Sequence, residues 1–332
     1  MKALVVSPKF HGYWRSIVGG FDALGHETCC IRYDEWHGMG ARAIAKLRLD
    51  LPERFGRDQT TLGRKWATDW VVGQLRAHNA DVVVVVKGDL LDPNLWETFQ
   101  RKNVPVVLWL YDELRRTRHT TETLGAYSAV ASYSPNDCEA MASRGIRSRF
   151  VPLAFDPRLA ISGGTSSTEV VFVGARYPSR ADLLADLVRR GITVRAYGRD
   201  WSRRTVDRLR TLDWFRPRVP GAPDVSRERA AGLMQRALTA LNLHGDQDGF
   251  NIRTFEACGV GAVQLIDRPE VKAFYDPGEE LLTFDGVDEL VAQIERVKSD
   301  EARAGRIRHA GRERTLANHT FEHRCADLLD LC

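Results

Sequence analysis

The chain has 332 residues, 43% of them hydrophobic and 28% charged, with a formal net charge of +4. That length suits two domains better than one core, and the composition excludes disordered, fibrous and disulfide-scaffold classes. No run reaches the roughly 18–20 apolar residues of a bilayer span, and MKALVVSPKF has too short an apolar run for a signal peptide, so a cytoplasmic protein is expected.

Six cysteines (29, 30, 138, 258, 325 and 332) show no C-x-x-C spacing and read as buried thiols. Arginine far outnumbers lysine, but the basic excess is mild. Its densest run, RDWSRRTVDRLRTLDWFRPR (199 to 218), interleaves acids and apolar residues and reads as a solvated helix with a loop.

Short β-rich runs alternate with helical patterns, which predicts an α/β protein with parallel sheets. In the first half the expected strands are ALVVS (3 to 7), ETCCIRY (27 to 33), DVVVVVK (81 to 87), VPVVLWL (104 to 110), AVASY (129 to 133) and RSRFVPL (147 to 153). The unbroken valine run suits a strand covered on both faces. Helices are expected after the first strand, over 61–79, near 93–102 and from Pro135. PRLAISGGTSST (157 to 168) reads as a linker.

The alternation then restarts. EVVFVG (169 to 174), TVRAYG (193 to 198), LTALNLH (238 to 244) and GAVQLI (261 to 266) are expected strands. PSRADLLADLVRRG is a helix whose Ser179 and Asp182 resemble a capping box, SRERAAGLMQRA (226 to 237) is a second, and Asp285 is expected to cap a third. The tail from 300 reads as helical throughout. The predicted organisation is an N-terminal Rossmann-like domain (1–157), a linker (158–168), a second Rossmann-like domain (169–300), and C-terminal helices (301–332) that can return to the first domain. Two such halves face each other across a cleft, and ligands of open parallel sheets sit beyond the carboxyl ends of the strands.

HGDQDGFNIRTFEACGVGA (244 to 262) has two parses. Asp246-Gln247-Asp248 is a D-x-D, a short acidic pair that can hold a divalent metal against a diphosphate. Asp248 also pairs with Glu256, the first on a loop and the second on the helix that follows, whose free N–H groups form an anion site. Glu256 can accept from a ribose diol and Asp248 lies near a sugar. Gly174, Arg176 and Arg180 follow the first strand of the second half, where guanidinium groups and a helix N-terminus can neutralise a departing diphosphate. Arg253 can reach the same phosphates, Asn251 can bond a phosphate or sugar, and His244 can bond the donor sugar. In the first half, Lys9, His11, Gly12 and Tyr13 lie at a strand-to-helix turn, and Lys87 and Asp112 at the carboxyl ends of their strands. Asp112 and His11 are candidates to orient or deprotonate a hydroxyl of a second, accepting substrate, with Lys9, Gly12, Tyr13 and Lys87 on that side.

The stretch D-x-F-N-x-x-x-x-E-A followed by Gly261 resembles the E-x-F-G-x-x-x-x-E-A…G motif of the family 4 retaining glycosyltransferases, and N-x-R-x-F-E-A is similar to their CgeB-like (spore maturation protein) branch. DVVVVVKGDLLDP, VPVVLWLYDE, the FVG of 172 to 174 with Arg180, and HTFEHRCADLL carry the likeness into both halves and the tail. The resemblance implies a GT-B fold and transfer, with retention, from a nucleoside diphosphate sugar. The acceptor bears a hydroxyl: a small molecule, a glycan or a cell-envelope component. The resemblance assigns Glu256 to the donor ribose and Asp248 to the donor sugar. This sequence departs in having Asp where the motif has Glu, and Asn251 where it has Gly. Basic groups are at hand for the diphosphate, so no metal and no other cofactor is expected.

Three rivals stand beside this reading. A sugar-nucleotide epimerase or hydrolase can share the fold. An NAD-dependent enzyme is disfavoured because SPKFHGYWR replaces G-x-G-x-x-G. A nucleic-acid-binding protein would use the 199–218 run and is not favoured.

Overall fold

The computed structural model describes residues 1–35, 60–75, 78–163, 166–212, 214 and 218–332. Parts of the expected 61–79 helix, of the 157–168 linker and of the 199–218 run lie outside the described residues. The chain divides into two units, one of Met1–Leu153 with Phe321–Cys332 and one of Ala154–Thr320.

In unit 1 the strands are β1 (Lys2–Ser7), β2 (Glu27–Arg32), β3 (Val82–Val86), β4 (Val106–Leu110), β5 (Ala129–Ser132) and β6 (Ser148–Phe150). They form a parallel sheet in the order β2-β1-β3-β4-β5-β6. All five valines of β3 are buried, as a strand covered on both faces requires. The helices are α1 (Tyr13–Ala23), α2 (Thr60–Leu75), α3 (Glu97–Arg101), α4 (Thr121–Gly125) and α5 (Pro135–Ala142). Ser134 caps α5, accepting from Asp137 N at 3.1 Å, with Pro135 behind it.

Unit 2 carries β7 (Val170–Val173), β8 (Val194–Tyr197), β9 (Gly221–Ala222), β10 (Thr239–Asn242), β11 (Gln264–Ile266) and β12 (Leu282–Thr283). The order is β12-β11-β10-β7-β8-β9, again parallel. The two-residue strands β9 and β12 are too short for the pattern reading to detect. Its helices are α6 (Pro178–Arg189), α7 (Thr205–Thr211), α8 (Arg227–Arg236), α9 (Arg253–Gly259), α10 (Gly286–Ser299) and α11 (Glu301–Asn318). A core of Phe172, Leu184, Leu187, Trp201, Leu265 and Ile294 lies against the sheet.

Two expected caps are replaced. Pro178 opens α6, so Ser179 falls inside the first turn, and Tyr177 stands at the N-cap without a side-chain bond. Asp285 precedes α10, but its side chain caps nothing; Glu289 Oε2 reaches back to its N–H at 2.8 Å. The tail breaks once, at His319 and Thr320, where Phe155 N donates to His319 O. The last helix, α12 (Phe321–Leu329), then belongs to unit 1 and covers α1. Gly20 permits that approach: a Cβ there would stand 2.7 Å from Cys325 Sγ and 2.9 Å from Phe321 O. The stretch around 157–168 is tied into unit 2, with Ser162 N bonded to Glu228 O and Ser167 N to Arg236 O. The thiols of Cys258 and Cys325 are buried as expected, whereas Cys332 is exposed and the other three are half-buried.

Candidate functional site

Each sheet reverses direction once. In unit 2 the chain leaves β7 towards β8 and β9, then returns on the other side of β7 with β10. The loops after β7 and β10 therefore part company, leaving the crevice where open parallel sheets hold ligands. Gly174 follows β7: its N–H donates to Tyr197 O at 3.1 Å and its carbonyl accepts from Trp201 Nε1 at 2.9 Å. Arg176 follows, half-buried. Arg180, in the first turn of α6, bridges the two loops. Its guanidinium donates to Ala175 O at 3.2 Å, to His244 O at 3.2 Å and to Leu243 O, and lies 4.8 Å from the Tyr177 ring.

His244 organises the second loop. Its ring is buried; Nδ1 lies 3.2 Å from Asp267 Oδ1, and Nε2 accepts the N–H of Asn251 at 3.3 Å. Accepting at Nε2 places the proton on Nδ1, facing Asp267, so the neutral ring satisfies both partners. Burial pulls its pKa down, against the raising effect of Asp267. His244, expected from sequence to bond a sugar, has Nδ1 against Asp267, just past β11, and Nε2 against Asn251 in its own loop. Arg268 Nη1 gathers the carbonyls of Gln247 at 2.8 Å, Asp248 at 2.9 Å and Gly249 at 3.3 Å, and its guanidinium stacks 4.5 Å from the Phe250 ring. The backbone of Asp248 is thus held while its carboxylate stands on a half-exposed turn. Asn251 Nδ2 donates to Asn242 Oδ1 at 2.9 Å, and Asn242 continues to Gln264 and Thr254 at 2.8 and 3.1 Å. This buried amide chain pins the start of α9 to β10 and β11.

Glu256 is 1% exposed, and both its oxygens face guanidinium groups: Oε1 meets Arg227 Nε at 2.8 Å and Oε2 meets Arg253 Nη1. Arg227, at the first position of α8, is itself buried. One anion between two cations leaves net positive charge at the start of α9, where helical N–H groups add to it. Arg253, expected to face phosphate, rests on Glu256 in this structure.

In unit 1 the reversal lies between β1 and β3. After β1, Lys9 N donates to Asp34 Oδ1 at 2.6 Å. His11 is exposed with φ 46°, and Gly12 at φ 78° opens α1. Tyr13 is buried against Phe10. After β3, Lys87 and Gly88 take φ of 65° and 67°, and a Cβ on Gly88 would lie 3.0 Å from Tyr127 Oη. The turn brings Lys87 Nζ to 3.0 Å from Asp112 Oδ2, uniting two sequence candidates. His119 Nε2 donates to Lys87 O at 2.7 Å, and burial lowers its pKa.

Among the described residues no three His, Cys, Asp or Glu side chains converge as a metal site. Sequence reasoning missed Arg227, Asp267, Arg268, His119 and Asp89. Asp267 and Asp89 carried a usable signal, each standing just past a strand's carboxyl end. The Asp89 carboxylate is buried, with no partner for Oδ1 among the described residues. Arg268 shares that position, two residues past β11, whereas Arg227 carried no signal, since nothing in the sequence separates it from surface arginines.

Comparison with known proteins fixes the class. Residues 180–330 match the family model described as glycosyl transferase-like. The fold is similar to that of solved structures: sucrose-phosphate synthase from Thermosynechococcus elongatus has TM-score 0.63 at 14% identity, covering 100% of this chain and 98% of that one. The Anabaena protein Alr3699/HepE, solved in complex with UDP-glucose, has TM-score 0.63 at 13% identity over 100% of both chains. The fold is GT-B, and the chain is an enzyme of the glycosyltransferase class. Within that class it resembles the CgeB-like branch: it is 22% identical to spore protein CgeB of Bacillus subtilis (strain 168) over 232 residues, 65% of this chain and 72% of CgeB. No described helix is long and apolar enough to cross a membrane.

Proposed function

We propose that the protein transfers a sugar from a nucleoside diphosphate sugar held by unit 2 to a hydroxyl of an acceptor held by unit 1, with retention of configuration and without a metal. The observation that carries this reading is the crevice between β7 and β10, where Arg180 joins both loops and Glu256 lies buried between Arg227 and Arg253. On donor binding, Glu256 exchanges Arg253 for the ribose diol, and Arg253 turns to the diphosphate with Arg176 and Arg180. The acceptor oxygen bonds to the anomeric carbon as the bond to the diphosphate oxygen breaks, and the hydroxyl proton leaves to the departing phosphate or a base. Positive charge fixed at the leaving group lowers the barrier. Asp248 faces the sugar, and Asp112, held by Lys87, orients a hydroxyl of the acceptor, which is a small molecule, a glycan or a cell-envelope component. UDP-glucose is the first donor to test, since HepE is solved with it.

The test is a thermal-shift panel of UDP-, ADP- and GDP-sugars followed by turnover of the stabilising donor. A specific donor raises the midpoint by mass action. Transfer persists in chelator, and proton NMR of the product shows the donor's anomeric configuration. The proposal fails if no nucleotide sugar stabilises the fold. Full turnover without acceptor would instead identify an epimerase or hydrolase, and loss in chelator restored by magnesium would return Asp246 and Asp248 to a metal role.

A further inference from the structure

The basic run of 199–218 takes no part in the site above. Ten large hydrophobic side chains are strongly exposed among the described residues, and four of them fall between 206 and 214: Val206 and Leu209 at 56%, Leu212 at 81% and Trp214 at 53%. Exposed apolar groups scattered singly need no explanation, but a cluster does. Val206 and Leu209 are one turn apart on α7, Arg210 lies four residues after Val206 on the same side, and Arg203 and Arg204 lead into the helix. Leu212 ends the helix in the left-handed region at φ 52°. From 203 to 212 four arginines stand against one aspartate, with Arg203, Arg204 and Arg210 exposed.

We infer that this face seats on an anionic lipid surface. Guanidinium groups alternating with Val, Leu and Trp match the headgroup boundary, where phosphates accept from arginine, apolar tips enter the acyl edge, and a Trp ring sits between the two. A nucleic acid would satisfy the arginines but offers nothing to an exposed Leu and Val, which do not stack on bases as aromatic rings do. The charge complementarity therefore selects a negatively charged bilayer, held at its surface rather than spanned.

The experiment is co-sedimentation of the full chain with vesicles of equimolar phosphatidylglycerol and phosphatidylcholine, against phosphatidylcholine alone. The protein is expected to bind the anionic vesicles at least tenfold more tightly and to be released by salt. Arg203→Ser should weaken binding roughly fivefold. Leu209→Ser, Leu212→Ser and Trp214→Ser combined should abolish it with an unchanged thermal midpoint, because these side chains are exposed in the folded chain. Absence of binding, or equal binding by the triple variant, overturns the inference. So does salt-sensitive retention of duplex DNA without vesicle binding, which would assign the face to nucleic acid. A dimer in sedimentation velocity that the triple variant dissolves, again without vesicle binding, would assign it to a second copy.

Discussion

The two units share a parallel sheet with one reversal of strand order, yet they furnish the two crevices differently. In unit 2 the crevice is built from buried and part-buried polar contacts: Glu256 is enclosed by two arginines, His244 by Asp267 and Asn251, and the loop carbonyls by Arg268 and Arg180. In unit 1 the corresponding pair, Lys87 and Asp112, is more than a third exposed at both ends. A buried charge needs its partner in place before any ligand arrives, whereas an exposed pair keeps water as an alternative. One crevice is fixed in advance and the other is left adaptable, which fits the proposed division between a constant donor group and a variable acceptor.

The contrast can be broken most severely at Glu256. Glu256→Ala leaves two facing guanidinium groups without their carboxylate and should cost about 3–5 kcal/mol of stability, read by urea denaturation. Loss below about 1 kcal/mol would show that water already reaches the site. Next come the close approaches. Gly259→Ala puts a Cβ 2.3 Å from the Phe155 ring in unit 2, and Gly20→Ala puts one 2.7 Å from Cys325 Sγ in unit 1. Each should lose about 1–3 kcal/mol, and a neutral result in either denies that contact its rigidity.

The histidines provide a smaller effect with a definite sign. Burial lowers the pKa of His244 and of His119 below the ordinary 6.5. The unfolded chain therefore takes up each proton at higher pH than the folded one. Their stabilising share is complete above about pH 6.5 and is lost as pH falls from there through the folded values, with a slope under about 1.4 kcal/mol per pH unit for each. His244→Gln should flatten its part of the slope; an unchanged profile would refute the neutral, buried ring. Smallest of all, Asp112→Asn should shift stability by less than about 1 kcal/mol while lowering transfer. A stability loss as large as that of Glu256→Ala would erase the distinction between the units.

Much of this was legible in the chain. The valine run of β3 announced a doubly covered strand, and the alternation of runs announced two parallel sheets. The spacing from Asp248 to Glu256 pointed to the loop and helix start that Arg268 and Arg227 hold in place. What stayed hidden were partners remote in sequence. Arg227 is 29 residues from the carboxylate it holds, and among so many arginines no local pattern marks it. The two-residue strands β9 and β12 lie below the length at which periodicity can act.

By itself the sequence determined the elements and the chemistry available at their ends, because side-chain alternation, glycine at tight turns and carboxyl-end residues are local properties of the chain. Only the tertiary structure decided which charges meet. Whether Glu256 is enclosed, whether both nitrogens of His244 are engaged, and whether Leu212 is left in solvent depend on contacts across tens of residues, and burial, which sets what each charge costs, exists only once the chain is folded.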